Sequence, residues 1–95
     1  MSIIEHATLK AKAGHGDAMA DALPAALSVL VTADGCFGAS ALRCIERPDE
    51  FVLRVEWDAV ASHERFREGS DFPRYRAPFA DHLDEVLGFA HYTQI

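Results

Sequence analysis

The chain has 95 residues, of which 49% are hydrophobic and 25% are charged, and its formal net charge is -6. This length and composition are typical of one globular domain, residues 1–95, and argue against disorder. The nine lysines and arginines are spread along the chain and form no basic patch, so we expect no nucleic-acid partner. No apolar run approaches the roughly 20 residues that cross a membrane and no signal peptide is recognisable, so we expect a cytoplasmic protein.

The first predicted elements are a strand and a long helix. Ile3 to Lys12 alternates apolar and polar residues as a half-buried strand does, although Glu5 interrupts the apolar set. After a glycine-rich turn, Asp17 is predicted to cap a helix whose apolar residues recur at helical spacing. Pro24 lies inside that pattern, so we predict one bent helix that ends near Thr32.

Two strands joined by a tight turn form the centre of the predicted fold. Pro48 is placed for a type I turn, so the strand Phe51 to Trp57 should be the antiparallel partner of the strand Cys36 to Glu46. The earlier strand is predicted to present one apolar face, made of Phe37, Ala39, Ala41 and Ile45. Asp58 offers an N-cap for a following helix with one inward side, made of Ala59, His63 and Phe66.

The C-terminal part predicts one more helix and one more strand. Gly69 ends the preceding helix, and Ser70 or Asp71 caps the next one, which Pro78 should bend. The inward face of this last helix is predicted to hold Phe72, Tyr75, Arg76, Phe79 and Leu83. A short strand, Phe89 to Gln94, closes the chain. The order of elements predicts an α+β, ferredoxin-like βαββαβ fold with an antiparallel sheet and both helical segments on one face.

The other face of the predicted sheet has no helix to cover it. It would nevertheless carry apolar side chains among its polar ones, namely Ile4, Leu42, Val52 and Tyr92. Exposed apolar surface of this kind usually marks an interface. We therefore expect a homodimer joined through the open sheet faces.

Three residues are candidates for chemistry, and each has a structural alternative. Trp57 is either a core aromatic at the end of its strand or a wall for a flat ligand. His63 is either a satisfied histidine facing the sheet or a proton-transfer group. Arg76 either packs only its aliphatic stem and keeps its guanidinium group at the surface, or places that group in a cavity, where it would bind an enolate, phenolate or carboxylate. Further side chains predicted to bind the substrate are Leu53, Phe66, Phe72, Tyr75, Phe79 and His82.

Other kinds of site find little support. The five histidines show no metal-ligand spacing, and the chain has neither a phosphate-binding glycine loop nor a dinucleotide fingerprint. Cys36 and Cys44 lie too far apart in one predicted strand for a disulfide, and neither is marked as an activated nucleophile. We therefore expect no metal and no cofactor.

Four segments of the chain resemble the antibiotic biosynthesis monooxygenase domain family of small dimeric α/β-barrel proteins. They are ATLKAKAG (7–14), DGCFGA (34–39), FVLRVEWD (51–58) and the segment from Phe66 to Arg76. The resemblance implies a ferredoxin-like fold and a dimer. Members of the family include cofactor-independent oxygenases of polycyclic phenols, haem-degrading enzymes and isomerases of small phosphorylated signals.

The resemblance also implies roles for individual residues. Trp57 matches a strand-end tryptophan that lines the cavity of oxygenase members, His63 falls where some of them place a tyrosine, and Arg76 lies near a substrate-facing arginine. Leu53 departs from the pattern, because oxygenase and haem-degrading members would have an asparagine nearby. Haem degradation is further disfavoured, since no haem-ligating histidine follows Trp57 beyond His63.

The resulting hypothesis is a cofactor-independent monooxygenase that acts on a small aromatic or enolisable substrate. Aromatic side chains would shape the pocket, His63 would take or relay a proton, and Arg76 would steady the anion that reacts with oxygen. A substrate carbanion can reduce oxygen by itself, so no flavin or metal is required. Two alternatives remain: an isomerase or binding module without oxygen chemistry, which the missing asparagine favours, and a dimeric scaffold whose cavity is filled by its own side chains.

Overall fold

A computed structural model describes residues 2–95 as a four-stranded antiparallel sheet with helices on one face. The elements in chain order are β1 (Ile3–Ala11), α1 (Gly16–Leu30), β2 (Cys36–Arg43), β3 (Glu50–Trp57), α2 (Val60–Glu68), α3 (Asp71–Arg76), a 3₁₀ turn (Ala80–His82) and β4 (Leu83–Thr93). The strand order is β2-β3-β1-β4, with β2 and β4 at the edges. The predicted ferredoxin-like fold class is therefore confirmed.

The core lies between the central strands and the helices. β1 and β3 pair in antiparallel register, with Ala7 opposite Leu53 and Leu9 opposite Phe51, and all four side chains are buried. Because side chains alternate along a strand, this register turns one whole apolar set toward the helices. α1 covers it with four buried residues: Met19, Leu23, Ala26 and Leu30. Complete burial of a leucine or methionine side chain contributes roughly 1.5–3 kcal/mol.

Two of the three predicted helix caps are wrong in detail, whereas Ser70 is the N-cap residue of α3 as predicted, although its side chain makes no capping hydrogen bond. α1 begins at Gly16 and no side chain caps it; Asp17 lies in its first turn and pairs instead with Arg43 at 2.9 Å. α2 likewise begins without a side-chain cap, and Asp58 accepts a hydrogen bond from the Ser62 hydroxyl. Asp17 still lies at the positive end of the helix dipole, where a carboxylate is stabilising. Pro24 lies within α1, as predicted.

The first edge strand differs from its prediction because of a bulge. β2 ends at Arg43, and its register with β3 shifts just after Cys36. A bulge sets two residues opposite one, so the alternation changes there. Phe37 is consequently 64% exposed and Ile45 lies beyond the strand, so neither shares the predicted apolar face, whereas Ala39 and Ala41 pack together against the core. The turn between β2 and β3 is confirmed, with the backbone N–H of residue 50 donating to the carbonyl of residue 47 at 2.9 Å.

The C-terminal elements were predicted with the wrong lengths. α3 ends at Arg76, so Pro78 follows the helix rather than bending it. Leu83, predicted on that helix, is the first residue of β4, which is much longer than the predicted strand Phe89 to Gln94. Helical spacing of apolar residues continues by chance through the 3₁₀ turn, and proline supplies no N–H to extend the helix.

The outer face of the sheet is uncovered, as predicted. Leu42 and Tyr92 are 54% and 52% exposed, while Ile4 and Val52 are half-buried. Within residues 2–95 no helix has both the length and the apolar character needed to cross a membrane.

Candidate functional site

A cavity of about 270 Å³ opens between the sheet and the shorter helices. β1 forms its floor, α2 and α3 form one side, and β4 forms the rim. The lining side chains are Glu5, Ala7, Leu9, His63, Arg67, Phe72, Tyr75, Arg76, Phe79, Val86 and Phe89. Val86 and Phe89 are 42% and 47% exposed, so the cavity is open along the β4 edge.

The structure brings five of the predicted site residues together in this lining, namely His63, Phe72, Tyr75, Arg76 and Phe79. Trp57, Leu53 and Phe66 are buried in the core outside the lining, because the inward registers of β3 and α2 place them under the helices. His82 lies elsewhere, at the 3₁₀ turn, where its Nδ1 is 3.1 Å from the Nδ1 of His15.

Trp57 supports the cavity from behind. Its side chain is fully buried at the end of β3, and its indole N–H donates a hydrogen bond of 2.9 Å to Oε1 of Glu5. The indole also stacks on the ring of His63, with centroids 5.4 Å apart and planes 20° from parallel. The tryptophan therefore orients two polar side chains that reach the cavity.

Glu5 is a buried carboxyl on the floor of the cavity. Only 7% of the residue is exposed, because its position in β1 faces the core together with Ala7 and Leu9. Burial raises the pKa of Glu5, although the hydrogen bond from Trp57 and the nearby charges act in the opposite direction. Oε2 of Glu5 has no hydrogen-bond partner in the part of the chain that the structure describes. One carboxyl oxygen is thus held by the protein, and the other is free for a ligand.

His63 lies between Glu5 and β4. Its Nε2 is 3.4 Å from Oε1 of Glu5, and its Nδ1 is 2.7 Å from Nε2 of His91. Burial lowers the pKa of His63 to about 4, and the charges of His91 and Arg67 act in the same direction. His63 is therefore neutral at pH 7, and its contact with Glu5 is not an ion pair between two full charges.

Two arginines give the cavity a positive wall. The guanidinium carbon of Arg76 lies 5.7 Å from the ring centres of both Phe72 and Phe79, and that of Arg67 lies 4.7 Å from the ring centre of Phe89. Among residues 2–95, Nε of Arg76 is the one side-chain nitrogen or oxygen that is completely shielded from solvent and has no hydrogen-bond partner. A buried donor that is left unpaired is costly, so an anionic ligand that accepts from it gains affinity.

Aromatic side chains complete the wall next to Arg76. Tyr75 meets Phe79 edge to face with ring centres 5.4 Å apart, and it meets Phe66 in the same way at 5.6 Å. Burial raises the pKa of Tyr75, so its phenol keeps its proton and remains a donor. Aromatic faces and cationic donors together suit a planar ligand that carries negative charge.

Sequence reasoning missed three polar residues of this site: Glu5, Arg67 and His91. The signal for Glu5 was present, because a carboxylate interrupted the inward register of the first strand. His91 was predicted in the last strand, but the strand pairing that sets it opposite Glu5 is a tertiary property without a local signal. Arg67 carried no signal, because an arginine near the end of a helix is ordinarily solvated.

The described part of the chain contains no group of three or more His, Cys, Asp or Glu side chains that could hold a metal ion. Burial raises the pKa of the Cys36 thiol, which keeps this side chain protonated and weakly nucleophilic.

Comparisons with known proteins agree with the fold. A family model described as "Antibiotic biosynthesis monooxygenase" matches residues 2–78. A candidate antibiotic biosynthesis monooxygenase from Bordetella bronchiseptica superposes with a TM-score of 0.92 at 26% identity, covering 99% of this chain and 97% of that one. A comparable candidate from Nitrosomonas europaea gives a TM-score of 0.82 at 16% identity, with coverages of 99% and 90%. A third candidate, from Deinococcus radiodurans, gives a TM-score of 0.78 at 17% identity, covering 98% of this chain and 92% of that one. No curated protein matches the chain.

Proposed function

The chain belongs to the antibiotic biosynthesis monooxygenase family, and on that premise we propose that it is a cofactor-independent monooxygenase of a small aromatic or enolisable substrate. The observation that carries the proposal is the pairing of two unsatisfied groups in one cavity. Glu5 offers a free carboxyl oxygen, and Arg76 offers a buried donor without a partner. A proton acceptor opposite an anion-binding donor is what the formation of an enolate or phenolate requires.

The size of the cavity narrows the substrate class. A volume of about 270 Å³ lies just below the 300–1,000 Å³ that is typical of pockets for drug-sized ligands. The lining favours a planar ring with an ionisable oxygen, and the space favours one or two fused rings. The cavity is also not filled by its own aromatic side chains, which speaks against a purely structural role for the domain.

The reaction can be written with the residues of the cavity. Arg76 binds the substrate oxygen as it becomes anionic, and Glu5, backed by His63, accepts the proton. The electron-rich carbon of the anion transfers one electron to O₂, and the resulting radical pair joins in a C–O bond. Loss of the remaining proton on that carbon then breaks the O–O bond. One oxygen atom stays as a carbonyl and the other leaves as water, which carries the two protons that the substrate lost.

Oxygen consumption tests this proposal. The probe is 1,5-dihydroxynaphthalene, a two-ring phenol that would give the corresponding quinone and one molecule of water. We expect enzyme-dependent uptake that falls by roughly 10²- to 10⁴-fold in Glu5→Gln, whereas the exposed Glu46→Gln serves as a matched control. Uptake that is unchanged in a His63→Ala, Arg76→Ala double variant would sink this assignment of roles.

A second candidate function is an isomerase that uses the same cavity without oxygen. It is favoured by the contact of 3.4 Å between Glu5 and His63, because two neighbouring proton carriers can remove a proton from one carbon and return it to another. The core leucine at position 53, where oxygenases of this kind would have an asparagine nearby, also favours it. Rearrangement of an enolisable probe under argon, with no oxygen uptake in air, would select this candidate.

The proposal includes a homodimer formed through the outer sheet faces. Leu42 and Tyr92 expose apolar surface there on two edge strands, and the ring of His6 lies 5.2 Å from that of Tyr92. A second copy of the same face would cover these side chains by symmetry.

A further inference from the structure

We propose that His91 is a proton-relay residue, which connects the Glu5–His63 pair to water at the β4 edge. The inference rests on the proposed function, in which Glu5 accepts a proton from the substrate. It concerns a different question, namely how a buried carboxyl passes that proton on. With Glu5 and His63 only 7% and 5% exposed, a bound substrate would cut both off from solvent.

The relay follows from strand register. β4 pairs with β1 so that His91 lies directly opposite Glu5, and both side chains point to the helical face of the sheet. α2 then places His63 above them, 3.4 Å from the carboxyl and 2.7 Å from Nε2 of His91. β1, α2 and β4 thus each contribute one side chain to a continuous row of proton carriers.

The geometry of the two imidazoles suits proton transfer. The rings of His63 and His91 have centroids 5.0 Å apart and planes 64° apart, so nitrogen faces nitrogen at 2.7 Å rather than ring face lying on ring face. A neutral imidazole accepts a proton on one nitrogen and donates from the other. His63 has one nitrogen toward Glu5 and the other toward His91, so it can pass a proton without turning its ring.

The transfer balances without any further reactant. The substrate proton moves to Oε2 of Glu5, and a turn of the carboxyl group about its Cγ–Cδ bond brings this O–H to Nε2 of His63, which takes the proton. The proton on Nδ1 of His63 then moves to Nε2 of His91. His91 becomes the cation, and its own Nδ1 proton can exchange with water. When the peroxide loses water, the same path returns a proton to the leaving oxygen and restores the starting tautomers.

His91 is suited to the outer end of this path. It is half-buried, and its Nδ1 has no hydrogen-bond partner among the residues described. The charged and titratable groups around the row are Arg67 from α2, Tyr75 and Arg76 from α3 and Cys36 from β2. Since protonated His63 is strongly disfavoured by burial, a proton passes through this residue rather than resting on it.

The pair His15–His82 provides a contrast. Its two Nδ1 atoms are 3.1 Å apart, but neither ring lines the cavity, and the pair lies at the far end of β4. Substitution of His15 therefore removes a paired histidine without touching the relay, which makes His15→Gln a matched control.

The test uses His91→Gln in the full chain, with 1,5-dihydroxynaphthalene in deuterated water under argon. Exchange of the ring hydrogens, followed by proton NMR, reports proton transfer without oxygen. We expect exchange to slow by roughly 10- to 100-fold in His91→Gln with unchanged probe binding, and to stay at the wild-type rate in His15→Gln. Added imidazole should restore part of the rate. Equal exchange in wild type and His91→Gln overturns the relay.

A second readout needs no substrate. In nitrogen-15 spectra of the histidine rings, His91→Gln should shift the His63 signals of the ligand-free protein, and His15→Gln should leave them in place. Unmoved His63 signals in His91→Gln overturn the relay. If wild type exchanges faster than His91→Gln under argon but takes up no oxygen in air, the relay stands and the monooxygenase is ruled out. If oxygen is taken up but wild type and His91→Gln exchange at the same rate, the monooxygenase stands and the relay is ruled out. No exchange in wild type overturns the relay, and the monooxygenase is overturned with it only if oxygen uptake is absent as well.

Discussion

Replacement of His63 by glutamine should change how the stability of the protein depends on pH. Burial lowers the pKa of His63 from its ordinary 6.5 to about 4. Between these two values the unfolded chain binds a proton at this position and the folded protein does not, so the free energy of unfolding falls as the pH is lowered. One pH unit is worth about 1.4 kcal/mol, so the loss from pH 6.5 to pH 4 amounts to about 3 kcal/mol. The glutamine variant keeps a polar side chain and lacks this loss.

The assay is unfolding in urea at several pH values between 4 and 7.5, followed by the fluorescence of Trp57, the one tryptophan of the chain. Glu5 acts in the opposite sense, because its raised pKa gives a contribution to stability that is lost as the pH rises through that value. The difference between wild type and His63→Gln cancels this background. We expect wild type to lose about 3 kcal/mol more than the variant on acidification. A difference between the two proteins that does not change with pH would show that His63 does not titrate with a lowered pKa in the folded protein.

Three further predictions concern binding, stability and assembly. Arg76→Gln removes a charge-assisted donor and should weaken binding of 1,5-dihydroxynaphthalene by roughly 10- to 100-fold in calorimetry, whereas Arg74→Gln, whose side chain pairs with a surface aspartate, should bind normally. Trp57→Phe leaves the buried carboxyl of Glu5 without its hydrogen-bond donor, so the free energy of unfolding in urea at pH 7 should fall by roughly 1–3 kcal/mol or more. An unchanged free energy would contradict the role given to this contact. Tyr92→Glu should convert a dimer into a monomer in sedimentation velocity, and a monomeric wild type would rule out the proposed assembly.

The central part of the fold could be predicted because its sequence pattern has one interpretation. Phe51 to Trp57 alternates without interruption, and the Arg47–Glu50 turn fixes its partner strand, so β2, β3 and their pairing follow from local chemistry. The exact faces did not follow, because one bulge near Cys36 moved Phe37 outward, and no local signal marks a bulge of this kind.

The site was predicted in part, because only some of its residues belong to elements whose inward face can be identified from the local sequence. His63 and Arg76 lie on helices whose inward faces are visible in the sequence, and both line the cavity. Glu5 appeared only as an irregularity in a strand, since a buried carboxyl is intelligible only beside its Trp57 donor, which is 52 positions away. His91 depends on the register between β4 and β1, a tertiary property that a short apolar segment leaves open.

A crystal structure of the protein with 1,5-dihydroxynaphthalene, grown without oxygen, shows directly whether Glu5 and Arg76 hold the substrate. We expect the naphthalene rings to lie between Phe72 and Phe79, with one oxygen of the ligand within hydrogen-bond distance of Nε of Arg76. The second prediction is that Oε2 of Glu5 lies against the part of the ligand that loses its proton. A ligand bound only on the outer sheet face, or a cavity that stays empty at saturating ligand, would contradict it.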